Sequence, residues 1–351
     1  MSDWADLAGK LNQGVDCGVA PAMTLAGWRE GELRFCLAAG QAQPETVFDL
    51  ASLTKPLAAA LIAWDLMSAG LFSPETTLFD LWGPAVPPDK QEVSLFRLLN
   101  HSAGFCAHQP YFNLIQGRPP SLGRGLVKAM LLNEPLAYQP GEKALYSDLG
   151  YMLLGLILEE ASGQGLKETL GRVYAKLGVK GPRFLPIGRP LPWPAERIAP
   201  CGALPGRGSV HGQVEDENAF ALGGVAGHAG LFGTAQEVGV VMAALCRAAA
   251  GGGPWPPAVA SGLFAVDCTT PGSTRTPGFD TPSGEKSAAG ANFPPHTVGH
   301  LGFTGVSLWW QPQANAGVVL LTNRVALGRD NQKIGPFRHE IHTLAWPALG
   351  F

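Results

Sequence analysis

A serine and a lysine stand three residues apart at the front of the segment ASLTKPLAAALIAWDLMSAG, residues 51–70. Because positions i and i+3 share one face of a helix, Ser52 and Lys55 can meet where this apolar helix begins. Serine is a weak nucleophile that needs a base nearby, and the free N–H groups of a helix start suit a developing oxyanion. The pair is therefore a candidate nucleophile with its proton acceptor, although a helix cap followed by a surface lysine has the same spacing.

Two further motifs carry side chains suited to the same chemistry. Tyr146 and Asp148 lie in PGEKALYSDLGYMLLG, just before a helical run, so both can project into one cleft from a loop. His300 and Gly302 lie in GHLGFTGVSLWW, where a strand that opens with His-Leu-Gly offers a side chain and then a bare edge to a substrate. Taken singly, a helix cap with a packed tyrosine and a glycine-containing edge strand explain these motifs equally well.

The order of the three motifs is more specific than any one of them. SLTK, then YSD about a hundred residues later, then HLG near the end of the chain resemble the active-site motifs of the serine β-lactamase and penicillin-binding protein superfamily. The tyrosine in the middle motif resembles the class C-like branch, which includes esterases and amidases. Supporting stretches are FDLASLTK, LLNHSAGF, QPGEKALYSDLGYMLLG, LGGVAGHAGLFGTA and GHLGFTGVSLW.

The resemblance implies a fold and a set of roles. The fold is α+β, of the β-lactamase/DD-peptidase-like type, with an antiparallel sheet flanked by helices plus a mostly helical domain. Ser52 is the expected acylated nucleophile, and Lys55 and Tyr146 are expected to share the proton transfers. The backbone N–H groups of Ser52 and Phe303 are the expected oxyanion hole. No cofactor and no metal are implied.

Two positions depart from the class C pattern. Asp148 replaces an asparagine, and a carboxylate beside Lys55 raises the pKa of that lysine. A lysine that keeps its proton favours Tyr146 as the general base, although the negative charge of Asp148 also disfavours a tyrosinate. His300 replaces a lysine that helps to bind the carboxylate of penicillins and peptide termini, and histidine is charged only part of the time. These departures favour a serine hydrolase acting through an acyl-enzyme on a small ester or amide, including a muropeptide-like cell-wall fragment.

Alternatives remain at this point. A β-lactamase or D-alanyl-D-alanine carboxypeptidase is the alternative enzyme, and a penicillin-binding or sensor protein without turnover is the alternative of another class. We expect the substrate site to include Asp148, His300, Gly302 and His228. A purely structural role for His228, in the Gly-rich GVAGHAGLFG, is equally supported, and His101 is expected to fix a loop by hydrogen bonds.

Other classes of protein are disfavoured. The net charge of -3 and the lack of a Lys/Arg-rich run argue against nucleic acid, and no apolar run approaches the roughly 20 residues that span a membrane. There is no G-x-S-x-G motif of an α/β-hydrolase, and HEIH at 339–342 indicates a surface helix rather than a metal site. The six cysteines lie far apart and are expected to be reduced. The first residues lack the pattern of a signal peptide, so we expect a cytoplasmic protein, or a periplasmic one if an export signal has been removed.

The pattern along the chain predicts where the elements lie. Residues 22–38 form a predicted hairpin, and Thr234 with Glu237 forms a predicted capping box at a helix start. We expect a sheet built from both chain ends, so that residues 1–50 and 235–351 form an α/β domain and residues 51–234 a mostly helical one. The sequence does not indicate an oligomeric state.

Overall fold

In this computed structural model, which describes residues 4–351, the longer strands lie toward the two ends of the described chain and most of the helices lie between them. The strands are β1 (Ala22–Arg29), β2 (Glu32–Gly40), β3 (Phe48–Asp49), β4 (Arg183–Phe184), β5 (Ala203–Leu204), β6 (Gly208–Ser209), β7 (Leu231–Gly233), β8 (Val298–Leu301), β9 (Ser307–Gln311) and β10 (Ala316–Thr322). The α-helices are α1 (Trp4–Asp16), α2 (Leu61–Ser68), α3 (Leu78–Trp82), α4 (Leu95–Leu99), α5 (Phe112–Ile115), α6 (Pro120–Asn133), α7 (Asp148–Ser162), α8 (Leu166–Lys176), α9 (Glu217–Ala221), α10 (Ala235–Arg247), α11 (Pro257–Gly262) and α12 (Ile334–Ala345).

The largest sheet has five antiparallel strands in the order β2-β1-β10-β9-β8. β1 and β2 form the predicted hairpin, whose turn residues Glu30 and Gly31 both have positive φ, 57° and 75°. Such turns match the right-handed twist of the two strands they join. β10 pairs with β1, with Met23 opposite Thr322, so the first and last strands of the chain meet at the centre of the sheet. β8 is left at an edge.

Both faces of this sheet are buried. Alternate residues of β1 point to opposite sides, with Leu25 in one apolar cluster and Trp28 in the other. Helices α1 and α12 cover the first face, and α10 covers the second. The antiparallel sheet flanked by helices confirms the α+β fold class that the motifs implied.

The central helices pack around α7, in which every residue from 149 to 158 is buried. Helices α2, α4, α6 and α8 all contact it. Gly163 ends α7 in the left-handed conformation, and Thr234 begins α10 with the predicted Glu237 capping box. The division into two domains stays a prediction. Among residues 4–351, no helix has the length and apolar character required to cross a membrane.

The apolar segment at residues 51–70 is helical as far as Ser68, but the helix is not uniform. It begins as a 3₁₀ turn at Ala51–Leu53, continues as a π-helix over Lys55–Ala60 and becomes regular only in α2. Pro56 is accommodated because an N–H near a helix start has no intrahelical partner to lose. π-helical turns are rare and occur frequently at functional sites. The irregular stretch carries both Ser52 and Lys55.

Candidate active site

The carboxylate of Asp49 binds the turn that carries Ser52 and a second segment of the chain. The Ala51 N–H donates to Asp49 Oδ1 at 2.8 Å, and the Glu215 N–H donates to Asp49 Oδ2 at 2.7 Å. Burial raises the pKa of Asp49 to about 7 in spite of these bonds. Ala51 has φ of 45°, a costly conformation for a residue with a β-carbon that persists only where its surroundings impose it. Asp49 lies within the FDLASLTK stretch, but no local sequence signal predicts this role.

Lys55 is the centre of the site. Its side chain is fully buried, and its Nζ lies 3.1 Å from Ser52 Oγ, 2.7 Å from the Tyr146 hydroxyl and 2.7 Å from Asp148 Oδ1. The His228 carbonyl oxygen lies further away, at 3.4 Å. The first two sequence motifs therefore meet at one ammonium group.

The charges around Lys55 define its resting state. Burial by itself lowers the pKa of Lys55, but Asp148 and Tyr146 outweigh this effect and the pKa is raised. Burial raises the pKa of Tyr146, and the nearby Lys55 offsets only part of that rise. Burial also opposes ionisation of Asp148, yet Lys55 and His108 hold the pKa of this carboxyl below its usual range. The resting site thus holds an ammonium, a carboxylate and a neutral phenol, as predicted for a carboxylate at position 148.

Tyr146 is fixed by the loop around His101. The two rings lie 4.6 Å apart between centroids. His101 Nδ1 accepts the Ser147 N–H at 3.1 Å, and Ser147 Oγ in turn accepts from Gly150 as the N-cap of α7. His101 is therefore a loop-fixing residue, as expected, and Ser147 rather than Asp148 caps the helix.

His300 lies near the end of a strand instead of at its start, because β8 pairs with β9 over Val298–Leu301 and the chain then turns. Its Nδ1–H donates to the Leu301 carbonyl at 2.7 Å, so Nε2 is an acceptor, and it has no partner in the described chain. Burial, with Lys55 and Arg275, lowers the pKa of His300 to about 3. The side chain is neutral throughout the physiological range, more completely than the sequence alone indicated.

The turn after β8 packs against the turn that carries Ser52. A β-carbon on Gly302 would lie 3.0 Å from the Leu50 carbonyl oxygen, so glycine permits this close approach. Thr304 Oγ1 donates to the Asp49 carbonyl at 2.8 Å and joins the two turns. Within residues 4–351 no acceptor is paired with the N–H of Ser52 or of Phe303. Both amides are therefore available to a ligand.

These groups share a cleft of about 690 Å³. Of the predicted site residues, all but Lys55 line this cleft, and Lys55 is buried beneath it. The lining residues are Ser52, Tyr146, Asp148, His228, His300, Gly302 and Phe303. His228 is buried, and its Nε2 lies 2.9 Å from Asp216 Oδ1.

The cleft also has charged residues that sequence analysis missed, namely Asp49, His108, Glu215, Asp216, Glu217, Arg275, Asp280, Arg324, Arg329 and Arg338. Arg275 is notable because its guanidinium lies 5.6 Å from the Tyr146 ring centroid and pairs with Asp280 at 3.1 Å. It lies in the loop-rich stretch 251–297, which has no periodicity from which its position could have been predicted.

The HEIH stretch belongs to α12, and the expectation of a surface helix was wrong for His342. That side chain is fully buried, and its Nε2 lies 3.0 Å from Ser307 Oγ. In the part of the chain that the structure describes, no three His, Cys, Asp or Glu residues are grouped so as to hold a metal ion.

His108 supplies a testable pH dependence. Its Nδ1 lies 3.7 Å from Asp148 Oδ2, and the nearby carboxylate raises the pKa of His108. A raised pKa in the folded state contributes stability that is present below the unfolded value of about 6.5 and is lost as the pH rises through the folded value. We therefore expect His108→Gln to lower the free energy of unfolding more at about pH 5.5 than at about pH 9. Because the ring is half exposed, the difference should stay below about 1 kcal/mol.

Urea unfolding of both proteins at the two pH values measures this difference. The matched control is the same substitution in an Asp148→Asn background, where the pH dependence of the difference should shrink, since only Asp216 and Glu217 still raise the pKa of His108. An equal loss of stability at both pH values would contradict the pairing of His108 with Asp148.

Comparison with known proteins agrees with this fold. The Beta-lactamase family model matches residues 7–343. A protein of Escherichia coli (strain K12) named "Putative D-alanyl-D-alanine carboxypeptidase" is 31% identical over 314 residues, which cover 80% of this chain and 69% of the relative.

Two solved structures have the same fold. D-amino acid amidase from Ochrobactrum anthropi SV3 superposes with a TM-score of 0.72 at 20% identity, covering 99% of this chain and 98% of that chain. EstCE1, described as a hydrolase with promiscuous acyltransferase activity, superposes with a TM-score of 0.69 at 21% identity, covering 97% and 98%.

The fold and the motifs together define a serine hydrolase related to penicillin-recognising enzymes. The chain belongs to the Beta-lactamase family, whose model matches it almost from end to end.

Proposed function

We propose that this serine hydrolase turns over a small ester or amide through an acyl-enzyme formed on Ser52. The observation that carries the proposal is the position of Lys55 Nζ, 3.1 Å from Ser52 Oγ and 2.7 Å from the Tyr146 hydroxyl. A serine hydroxyl becomes an effective nucleophile only when such a group can take its proton.

The proposed reaction has two halves. Ser52 Oγ attacks the substrate carbonyl while its proton passes to Tyr146 or Lys55. The resulting oxyanion accepts hydrogen bonds from the N–H groups of Ser52 and Phe303. Collapse of this intermediate expels the alcohol or amine, which takes up the proton. Water then attacks the acyl-enzyme in the same way and releases the acid. Because Lys55 is an ammonium and Tyr146 a phenol at rest, the reactive form has one proton fewer, and the rate should climb with pH.

The chemistry of the cleft supports a neutral substrate. A neutral His300 supplies an acceptor at Nε2 instead of the cation that would hold a carboxylate at the end of β8. The volume of about 690 Å³ suits a small molecule or a short muropeptide-like fragment. Asp148, His228 and Gly302 are proposed to shape this site, Asp148 through its ion pair with Lys55.

A second candidate is favoured by Arg275. Its permanent cation lies on the cleft wall beside Tyr146 and offers an alternative anchor for a carboxylate. With the name of the Escherichia coli relative, this supports a D-alanyl-D-alanine carboxypeptidase or a β-lactamase. Intact-mass measurements over time with a fluorophosphonate, a p-nitrophenyl ester and a penicillin separate the candidates. A transient adduct with the ester and none with penicillin supports the first proposal. A penicillin adduct that disappears over time supports the second candidate. A permanent adduct with penicillin and no ester turnover supports a binding protein.

His300→Lys tests the substrate class. The new cation should improve nitrocefin hydrolysis relative to p-nitrophenyl acetate. The gain should not exceed the free energy of one charge-assisted hydrogen bond, about 1.5–3 kcal/mol, which is a factor of about 10 to 160 in kcat/KM. The crowding of a third cation beside Lys55 and Arg275 limits the gain.

Steady-state kinetics on both substrates measure the ratio, with Arg275→Gln as the matched variant. If wild type already hydrolyses nitrocefin far faster than the ester, and Arg275→Gln removes that activity, the carboxylate-anchored candidate replaces the neutral-substrate proposal.

The cytoplasmic location also stays a prediction, and cell fractionation checks it. We propose a small-molecule substrate as the partner of this cleft.

A further inference from the structure

Arg338, on α12, is a buried cation without a carboxylate. Its Nη2 donates to the carbonyl oxygens of Gly302 at 2.8 Å and Val306 at 2.7 Å, and its Nε has no partner in the described chain. No acidic side chain of residues 4–351 forms an ion pair with it. The charged neighbour that most affects it is another cation, Arg324. Because burying an unpaired charge is costly, this arrangement calls for a functional reason.

The two carbonyls that Arg338 contacts bracket the turn after β8. The Gly302 N–H donates to Val306 at 2.7 Å, and the Gly305 N–H donates to Gly302 at 3.0 Å, so the turn is closed by its own backbone. Arg338 ties both ends of this closed turn to α12. The guanidinium therefore fixes the position of the turn relative to α12.

The Gly302 carbonyl and the Phe303 N–H belong to the same planar peptide unit. A cation that binds the oxygen of a peptide draws electron density away from its nitrogen and makes the N–H a stronger donor, as in chains of cooperative hydrogen bonds. In the proposed function that N–H is one of the two donors to the oxyanion. Arg338 thus binds the carbonyl oxygen of the peptide unit whose N–H is one of these two donors.

We propose that Arg338 is a positioning residue that fixes and polarises the Gly302–Phe303 peptide, so that the Phe303 N–H binds the oxyanion more strongly. The inference rests on the proposed function of Ser52 and adds a residue outside its motifs. Burial lowers the pKa of Arg338 to about 9, which still leaves the group charged at neutral pH.

Two substitutions test the proposal. Arg338→Met removes the charge and both hydrogen bonds, whereas Arg338→Lys keeps the charge but lacks the length and fork of the guanidinium. His342→Gln is the matched control, because His342 lies one turn further along α12, is also buried and contacts Ser307 instead of the turn. The substrate is p-nitrophenyl acetate, which has no carboxylate.

Three readouts separate polarisation from a merely structural role. The acylation rate with the ester should fall by about 10- to 100-fold in Arg338→Met, less than the 10²- to 10³-fold typical of losing an oxyanion donor, while KM changes by no more than about threefold. Binding of an alkylboronic acid, which forms a tetrahedral adduct with the serine, should weaken by a similar factor. The ester carbonyl band of the isotope-labelled acyl-enzyme should move to higher wavenumber. Arg338→Lys should lie between Arg338→Met and wild type, and His342→Gln should leave the band unmoved.

An acyl-carbonyl band that stays at the wild-type wavenumber in Arg338→Met, or an effect confined to KM for carboxylate-bearing substrates, would overturn the proposal. If Arg338→Met does not fold, Arg338→Gln takes its place, because glutamine removes the charge and keeps a hydrogen-bond donor. A wild-type enzyme that forms no acyl-enzyme would instead overturn the proposed function, so the two failures are distinguishable.

Discussion

Ser52→Ala is expected to remove labelling by a fluorophosphonate and to lower ester turnover by about 10⁴-fold or more, the scale on which removal of a catalytic nucleophile acts. Ser52 Oγ contacts Lys55 Nζ, lines the cleft and lies beside two amides that have no other acceptor in the described chain. Mass spectrometry of the digested adduct should place the wild-type label on the peptide that contains Ser52. Steady-state kinetics on p-nitrophenyl acetate measure the loss of turnover.

Ser307→Ala is the matched control. Ser307 Oγ lies 3.0 Å from His342 Nε2, so distance alone makes these two residues look like a nucleophile and its base. Ser307 is, however, fully buried in β9 and does not line the cleft. We expect this variant to be labelled at the wild-type rate. Full labelling of Ser52→Ala, or an adduct mapped to Ser307 or Ser209, would refute Ser52 as the nucleophile.

The elements that sequence predicted well are those with local signals. The turn of the hairpin, at Glu30-Gly31, and the capping box of α10 each depend on residues within a few positions of one another. The meeting of Ser52, Lys55 and Tyr146 was also predictable, but only because the order of the motifs resembled a known superfamily. Neither periodicity nor spacing would have brought two segments about ninety residues apart to one ammonium group.

What sequence missed depends on contacts between distant segments. Arg275 enters the cleft from an irregular loop, and Asp49 acts through N–H groups of two separate segments. Arg338 was overlooked because its acceptors are backbone carbonyls, which no side-chain motif reveals. His342 was mistaken for a surface residue because a short polar stretch does not show which side of a helix meets a sheet. These residues can be found only once the segments are packed.

Tyr146→Phe should lower kcat by about 10²-fold or more, because it removes the hydroxyl that lies 2.7 Å from Lys55 Nζ and leaves the ring in place. The substitution keeps the stacking on His101 and so should leave the fold intact. Melting temperature and kcat measured on the same preparation separate the two effects. A variant that retains most of its kcat would show that Lys55 transfers the proton alone.

Asp148→Asn tests how the carboxylate of Asp148 sets the protonation states of Lys55 and Tyr146. Without the carboxylate, burial acts on Lys55 unopposed by its strongest partner, so the pKa of Lys55 falls. The pKa of Tyr146 falls as well, because Asp148 no longer opposes the tyrosinate. We expect the wild-type rate to climb from about pH 6 toward mildly alkaline values, and the climb of Asp148→Asn to begin at lower pH.

The same substitution has a cost in stability that reports on the charge of Lys55. If the lysine stayed an ammonium, breaking this buried pair would lower the free energy of unfolding by about 3–5 kcal/mol. If it loses its proton instead, the loss should shrink as the pH rises through the new pKa, and urea unfolding across pH measures which occurs. Asp216→Asn is the matched control, since Asp216 lines the same cleft but pairs with His228 instead of Lys55. Removing a charge 2.7 Å from Lys55 Nζ must change the pKa of that lysine, and the rate profile with it if the lysine takes part in the reaction. A flat rate profile that Asp148→Asn leaves unchanged would therefore show that Asp148 is only a structural residue.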